Sequence, residues 1–162
     1  MRRLNDFYPT ESKLTLGMLD FCASAISGTI VEPCNGAGHI SNVLIERGYT
    51  VQASDIERNA CSPLNWSECD WTITNPPFNE ALPILRNALQ FSKKGVIFLT
   101  RLSFLEPTYE RSKFWTHNIP SLVIVNPRTS FTQDRKTDSV TTCWICYGKF
   151  SHSGIQFIEK VK

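Results

Sequence analysis

The stretch from Asp70 to Ala81, "DWTITNPPFNEA", decides how this chain is read. "WTIT" has the composition of a buried strand. Pro76 and Pro77 end it, because proline has no amide to give a sheet and fixes its own φ. The prolines hold Asn75 and Phe78 in a stiff, non-helical turn at the end of a strand.

Helix and strand signals alternate on both sides of that turn. Upstream, "ESKLTLGMLDFCASAIS" puts Leu14, Met18, Leu19, Cys22 and Ile26 near helical spacing, and "GTIVEP" follows as a short strand. "HISNVLIERGY" reads as a second helix closed by Gly48, and "TVQASD" as a second strand. Downstream come an amphipathic helix, "EALPILRNALQFSKKG", with a basic end, and the apolar strands "VIFLTRL" and "SLVIVNP" around a helix at "ERSKFWTHN". "SVTTCWICYGKF" ends the core, and "GIQFIEKV" is an edge element. This order predicts an open α/β sheet, mostly parallel, with helices on both faces. Ligands of such sheets bind at the carboxyl ends of the strands, near the point where strand order reverses.

A chain of 162 residues fits a single domain, 1–162. The net charge of +2 is too small to argue for nucleic-acid binding by itself. Met1-Arg2-Arg3 begins like a twin-arginine signal, but "LNDFYPTESK" lacks an apolar region and no run reaches membrane-spanning length. These features fit a cytoplasmic protein. Six cysteines, mostly in apolar segments, read as buried thiols. Cys143 and Cys146 form a CxxC, but on a strand residues three apart face opposite ways, which argues against a metal or redox pair. His39, His117 and His152 show no partner spacing, and Phe114 and Trp115 read as core.

The first strand ends in "VEPCNGAGHI", where Gly36 and Gly38 let backbone approach a ligand as the next helix begins. Position 41 is Ser41, so the third glycine of a dinucleotide fingerprint is absent. Glu32 would repel a pyrophosphate, but it suits a cofactor with cationic amino and sulfonium groups, S-adenosylmethionine (SAM). Asp55, 19 positions after Gly36, stands where a carboxylate accepts both ribose hydroxyls.

Glu32-Pro33-Cys34-Asn35-Gly36-Ala37-Gly38 resembles motif I of class I SAM-dependent methyltransferases, a Rossmann-like fold, and Asn75-Pro76-Pro77-Phe78 resembles their amino-methyltransferase motif IV. "DFYPTESKLTLGMLDF" is similar to their SAM-contacting motif X, and "VNPRTSFTQDRKTDSVTTCWICYG" to the late part of phage-type DNA N6-adenine methyltransferases. The resemblance spans most of the chain, in the order X, I, IV, VIII.

It implies a reaction without metal or covalent enzyme intermediate. Asn75 and the Pro76 carbonyl accept hydrogens from the adenine amine, Pro77 keeps the turn rigid, and Phe78 stacks on a base that has left its helix or comes from a single strand. The cofactor side comprises Tyr8, Pro9, Thr10, Glu32, Pro33, Cys34, Gly36, Gly38, Asp55, Ile56 and Asn75. Phe131 falls where related enzymes place an aromatic against the base, and Arg128, Arg135 and Lys136 in the same loop are candidates for phosphate contact.

Two departures stand out. Only 20 positions separate Asp55 from Asn75, where the family usually fits a third strand and an acidic motif III. A missing third strand is therefore expected, with Asn65, Trp66, Ile56 and backbone groups left to line the cofactor's adenine. The core also leaves no separate target-recognition domain, so specificity falls to loops or to a second subunit, or is weak. DNA is the expected polymer. RNA stays open because NPPF also occurs in RNA methyltransferases, as does a non-catalytic SAM-fold binding module. Glutamine-modifying relatives typically carry NPPY, so Phe78 argues against a protein substrate.

Overall fold

The proline-stopped strand lies inside a seven-stranded sheet. The computed structural model describes residues 9–55, 59–128 and 140–160. In it Thr29–Glu32 (β1), Thr50–Ala53 (β2), Cys69–Thr74 (β3), Ser92–Arg101 (β4), Leu122–Val125 (β5), Thr142–Tyr147 (β6) and Gly154–Phe157 (β7) are ordered β2-β1-β3-β4-β6-β5-β7. The strands from β1 to β4 pair in parallel, β6 runs against β4 and β5, and β7 is parallel to β5. From β1 the chain places β2 on one side and β3 on the other. That reversal opens a crevice at the carboxyl ends of β1 and β3.

Helices Ser12–Cys22 (α1), His39–Glu46 (α2), Ala81–Phe91 (α3) and Tyr109–His117 (α4) cover both faces. Leu14, Met18 and Cys22 of α1 and Ile40 and Leu44 of α2 pack with Ile30, Ile73, Leu99, Ile124 and Trp144. Ile84, Leu85 and Ala88 of α3 and Phe114 of α4 pack on the other face with Val96, Phe98, Cys143 and Ile145. Alternation along β4 and β6 thus feeds two cores, and it sends Cys143 into one and Cys146 into the other. The CxxC pair is split by the sheet itself.

The basic end expected for α3 belongs elsewhere. The helix stops at Phe91, and Ser92 begins β4 because it pairs with Cys69 and its hydroxyl lies 2.8 Å from that of Thr72. Lys93 and Lys94 instead pair with Glu68 and Asp70 at 2.7 and 3.2 Å. Asp70 also accepts from the Thr29 amide at 2.9 Å, and these two contacts hold its carboxyl below the usual range. Asp70 therefore closes the amino end of the sheet, away from the crevice. Among the described residues no strand lies between β2 and β3, only a 3-10 turn at Pro63–Asn65, so β2 is the sheet edge. No helix among the described residues is long and apolar enough to cross a membrane.

Gly95 shows how tightly the central strands meet. A β-carbon there would collide with the buried ring of Trp71 and with the backbone carbonyl of Tyr147, and a backbone atom cannot rotate away. Gly95→Ala is expected to cost about 3 kcal/mol of unfolding free energy, read from urea melts. A loss under about 0.5 kcal/mol would show that β4 and β6 can separate more easily than their packing implies.

Candidate functional site

Three features meet at the carboxyl ends of β1 and β3. The first is Glu32, the last residue of β1 and only 1 % exposed. Its Oε1 accepts the Cys34 amide at 3.0 Å and a short hydrogen bond from the Thr74 hydroxyl. Among the described residues no cation pairs with it. Burial, partly offset by those donors and reinforced by Asp55, pushes the Glu32 pKa up to about 8. The thiol of Cys34, half-buried beside it, is pushed up by burial first and then by Glu32.

The second feature is the loop that follows. Gly36 and Gly38 take φ of 51° and 80°, left-handed values that suit glycine, and Gly38 caps α2. The missing third glycine has a structural replacement, since the Ser41 hydroxyl donates to Asn35 Oδ1 at 2.5 Å and ties the loop to the helix it opens. The Asn35 amide donates to the Ser54 carbonyl at 2.8 Å, and the Ser54 amide to the Glu32 carbonyl at 2.9 Å. These bonds stitch the end of β2 to the loop and bring Asp55, which is exposed, to the same rim.

The third is the Asn75 turn. Pro76 is buried, while Asn75, Pro77 and Phe78 are half-buried. Asn75 Nδ2 donates to Thr10 Oγ1 at 3.0 Å, just ahead of α1. Thr10 is 5 % exposed and Pro9 half-buried, so the bond is shielded on one side. It orients the amide with its nitrogen toward Thr10 and its oxygen the other way. Thr74 and Asn75, adjacent in sequence, thus serve the two halves of the crevice.

Residues between Asp55 and Asn75 in the sequence also form a wall. Asn65 and Trp66 line a shallow cavity of about 110 Å³ with Pro33, Ser54 and Ala60. Their donors are committed within the wall, Trp66 Nε1 to the Ala60 carbonyl and Asn65 Nδ2 to the Asn59 carbonyl, both at 2.8 Å. What Trp66 offers a ligand is ring surface. Sequence reading missed the brace behind this wall: buried Asn87 of α3 donates to the carbonyls of Ala60 and Cys61, each at 3.0 Å. It missed Thr74 and Ser41 as well, whose hydroxyls carry no motif signal until the strand ends are side by side. Arg128 is exposed, its Nε 3.5 Å from Thr141 Oγ1. Tyr8, Ile56, Phe131, Arg135 and Lys136 lie outside the described residues.

No protein-family model matches the chain, and no curated protein matches it in sequence. Solved structures do match its architecture. A proposed RNA methyltransferase from Pyrococcus horikoshii shares 17% identity at a TM-score of 0.59, over 90% of this chain and 88% of that one. The modification subunit of a proposed type I restriction enzyme from Vibrio vulnificus YJ016 superposes at 0.66 with 11% identity, over 92% of this chain and 45% of its own. A proposed class I SAM-dependent methyltransferase from Listeria monocytogenes gives 0.63 with 11% identity, over 96% and 66%. This chain therefore spans less than half of the Vibrio subunit. The seven-stranded sheet with helices on both faces is therefore the Rossmann-like fold that these structures share, the Listeria protein among them being named for class I SAM-dependent methyltransferases.

Proposed function

We propose that this chain transfers a methyl group from SAM to the exocyclic N6 amine of adenine in DNA. The observation that carries the reading is the junction at Thr74 and Asn75. One residue holds the carboxylate that suits a cation, and the next presents an amide oxygen in a turn stiffened by two prolines.

The donor set fits the cofactor. A buried carboxylate without a cation beside it, next to a loop with two left-handed glycines, suits an ammonium and sulfonium far better than a phosphate. Glu32, Pro33, Cys34, Gly36 and Gly38 would hold its amino-acid end, Asp55 its ribose, and Trp66 and Asn65 would flank its adenine. Bound there, SAM would supply an electrophilic methyl group, the carbon–sulfur bond breaking to leave S-adenosylhomocysteine and the surplus proton of the amine passing to solvent.

The remaining chemistry belongs to the chain. An adenine amine is a weak nucleophile because its lone pair is drawn into the ring. The Asn75 Oδ1 and the Pro76 carbonyl accept its hydrogens and favour the nitrogen as it becomes tetrahedral and positive. Phe78 stacks on the base and sets its plane. These 162 residues would carry catalysis, and the segment 129–139, with Phe131, Arg135 and Lys136, or a second subunit would contribute to target selection. A phage-encoded enzyme acting in the host cytoplasm is the setting the motif order resembles. RNA is the second reading, supported by the Pyrococcus structure, which is similar over most of both chains.

The test is to incubate the protein with SAM and, separately, unmethylated duplex DNA, single-stranded DNA and RNA, then to quantify N6-methyladenine in each digest by mass spectrometry. Product in DNA supports the proposal, and product only in RNA replaces it with the second reading. SAM binding without product in any polymer leaves a binding module.

Thr10 offers a milder perturbation. Thr10→Val removes the acceptor that orients the Asn75 amide, and is expected to slow transfer roughly ten- to a hundredfold with SAM affinity kept. Equal losses in rate and SAM affinity would place Thr10 on the cofactor instead.

A further inference from the structure

Arg101 closes β4 at the same end of the sheet as Asn75 closes off β3. Alternation places Asn75 with Ile73, and Arg101 with Leu99, while Ile73 and Leu99 share one core cluster. The two polar residues thus continue a single face beyond its apolar part. The Arg101 guanidinium carbon lies 4.5 Å from the centroid of the Phe78 ring, so a permanent cation occupies one face of the aromatic that the reaction assigns to the base.

That contact leaves the cation's hydrogen-bonding capacity unspent. Among the described residues the buried Arg101 Nε has no hydrogen-bond partner, and no carboxylate pairs with the guanidinium. A ring face attracts the charge but offers no lone pair, and an unsatisfied charged donor is costly when shielded from water. Arg111, by contrast, also lies over an aromatic ring, that of Phe104, but donates to two carbonyls and a hydroxyl. Arg101 further lines an open cavity of about 590 Å³, with the hydroxyl residues Ser103 and Thr141 and one carboxylate, Glu106, also on its wall. An oxyanion has the charge and the acceptors that this cation lacks.

Resting on the reading of Phe78 as the base platform, we propose that Arg101 binds the backbone phosphate next to the target adenine. The guanidinium rests on Phe78 in the free protein and gives up that ring face as the base arrives. The exchange replaces a cation–π contact with a charge-assisted, bidentate pair on phosphate. It also ties acceptance of the base to a polymer backbone, so free adenine, which lacks the phosphate, is a poor ligand.

The test uses a short single-stranded oligodeoxynucleotide with one adenine, and its RNA counterpart. Binding is followed by fluorescence anisotropy across a salt series, for the wild type, Arg101→Ala and Arg101→Lys. The alanine variant is expected to bind about tenfold more weakly, and its log K against log salt slope to fall by about 0.7, one phosphate's share for a single strand. Arg101→Lys keeps the slope and loses part of the affinity. A neutral methylphosphonate at the linkage beside the adenine reproduces the loss in the wild type and adds nothing in Arg101→Ala.

An unchanged slope in Arg101→Ala, equal sensitivity of both proteins to the methylphosphonate, or failure of the wild type to bind either oligonucleotide would overturn the proposal. The substituted oligonucleotide reads the wild type directly, so a variant that fails to fold does not shield the idea. Methylphosphonate-sensitive binding without any methylated product would remove the reaction and keep the phosphate site. Normal product with an unaltered slope would do the reverse.

Discussion

Asn75→Ala is expected to lower the rate of methyl transfer by about 10²- to 10³-fold, with SAM affinity within about tenfold of wild type. In the proposed reaction the amide oxygen is the acceptor whose hydrogen bond strengthens as the amine nitrogen gains positive charge, so its loss would fall on the transition state more than on the bound ground state. Asn75→Asp separates two parts of the effect. It keeps an oxygen toward the amine but cannot donate to Thr10 through an Nδ2, the bond measured at 3.0 Å in the wild type. Its rate should lie between those of wild type and Asn75→Ala. Single-turnover rates, with SAM affinity from calorimetry, check both. An alanine variant that transfers methyl groups at the wild-type rate would remove Asn75 from the chemistry.

The second large effect concerns proton release from Glu32. With its pKa at about 8 in the free protein, the carboxyl is mostly protonated at neutral pH. A bound ammonium or sulfonium favours the ionised form, so cofactor binding must expel a proton below that pKa. Affinity for SAM should therefore climb with pH and level off near pH 8, the free group's value. Glu32→Gln should bind weakly and without this dependence, and calorimetry in buffers of different ionisation enthalpy counts the proton directly. An affinity that does not change with pH in the wild type would mean that Glu32 never meets the cation.

The same group sets a stability profile. Its folded pKa lies above the ordinary value of 4.5, so between pH 4.5 and about 8 the native state holds more of the proton than the unfolded chain does. Stability from this group is complete below the unfolded value and is lost as pH rises through the folded one. Glu32→Gln should flatten that decline and, in mildly alkaline buffer above the folded value, raise the unfolding free energy of the free protein by about 5 kcal/mol. The residue proposed to meet the cofactor is then a stability liability that a bound cation would relieve.

Much of this was legible in the chain because the crevice is marked by residues that serve a strand poorly. Two prolines, a glycine pair and a carboxylate at the end of an apolar run each interrupt a periodic pattern, and they interrupt it where strands end. The helices were legible in outline, but the end of α3 was not. Ser92 and the lysines after it have helix-compatible character, and only pairing with β3 draws them into the sheet. Thr74, Ser41, Asn87 and Arg101 were silent for another reason. Each acts through a contact 6 to 42 residues away or across a fold, and an isolated threonine, serine, asparagine or arginine carries no signal of that.

The position of α3 has a mechanical consequence. The helix starts directly after the turn that carries Phe78, and its Asn87 side chain grips the carbonyls of Ala60 and Cys61 in the wall beside β2. One rigid rod therefore hangs between the two halves of the crevice. A ligand that firms the wall restrains the rod, and so spares a second ligand part of the ordering that the proline turn would otherwise require. Occupancy on either side should be felt on the other with equal free energy, because linkage has no preferred direction. With cofactor and base bound as proposed, the two would act as the pans of a balance, with α3 as its beam.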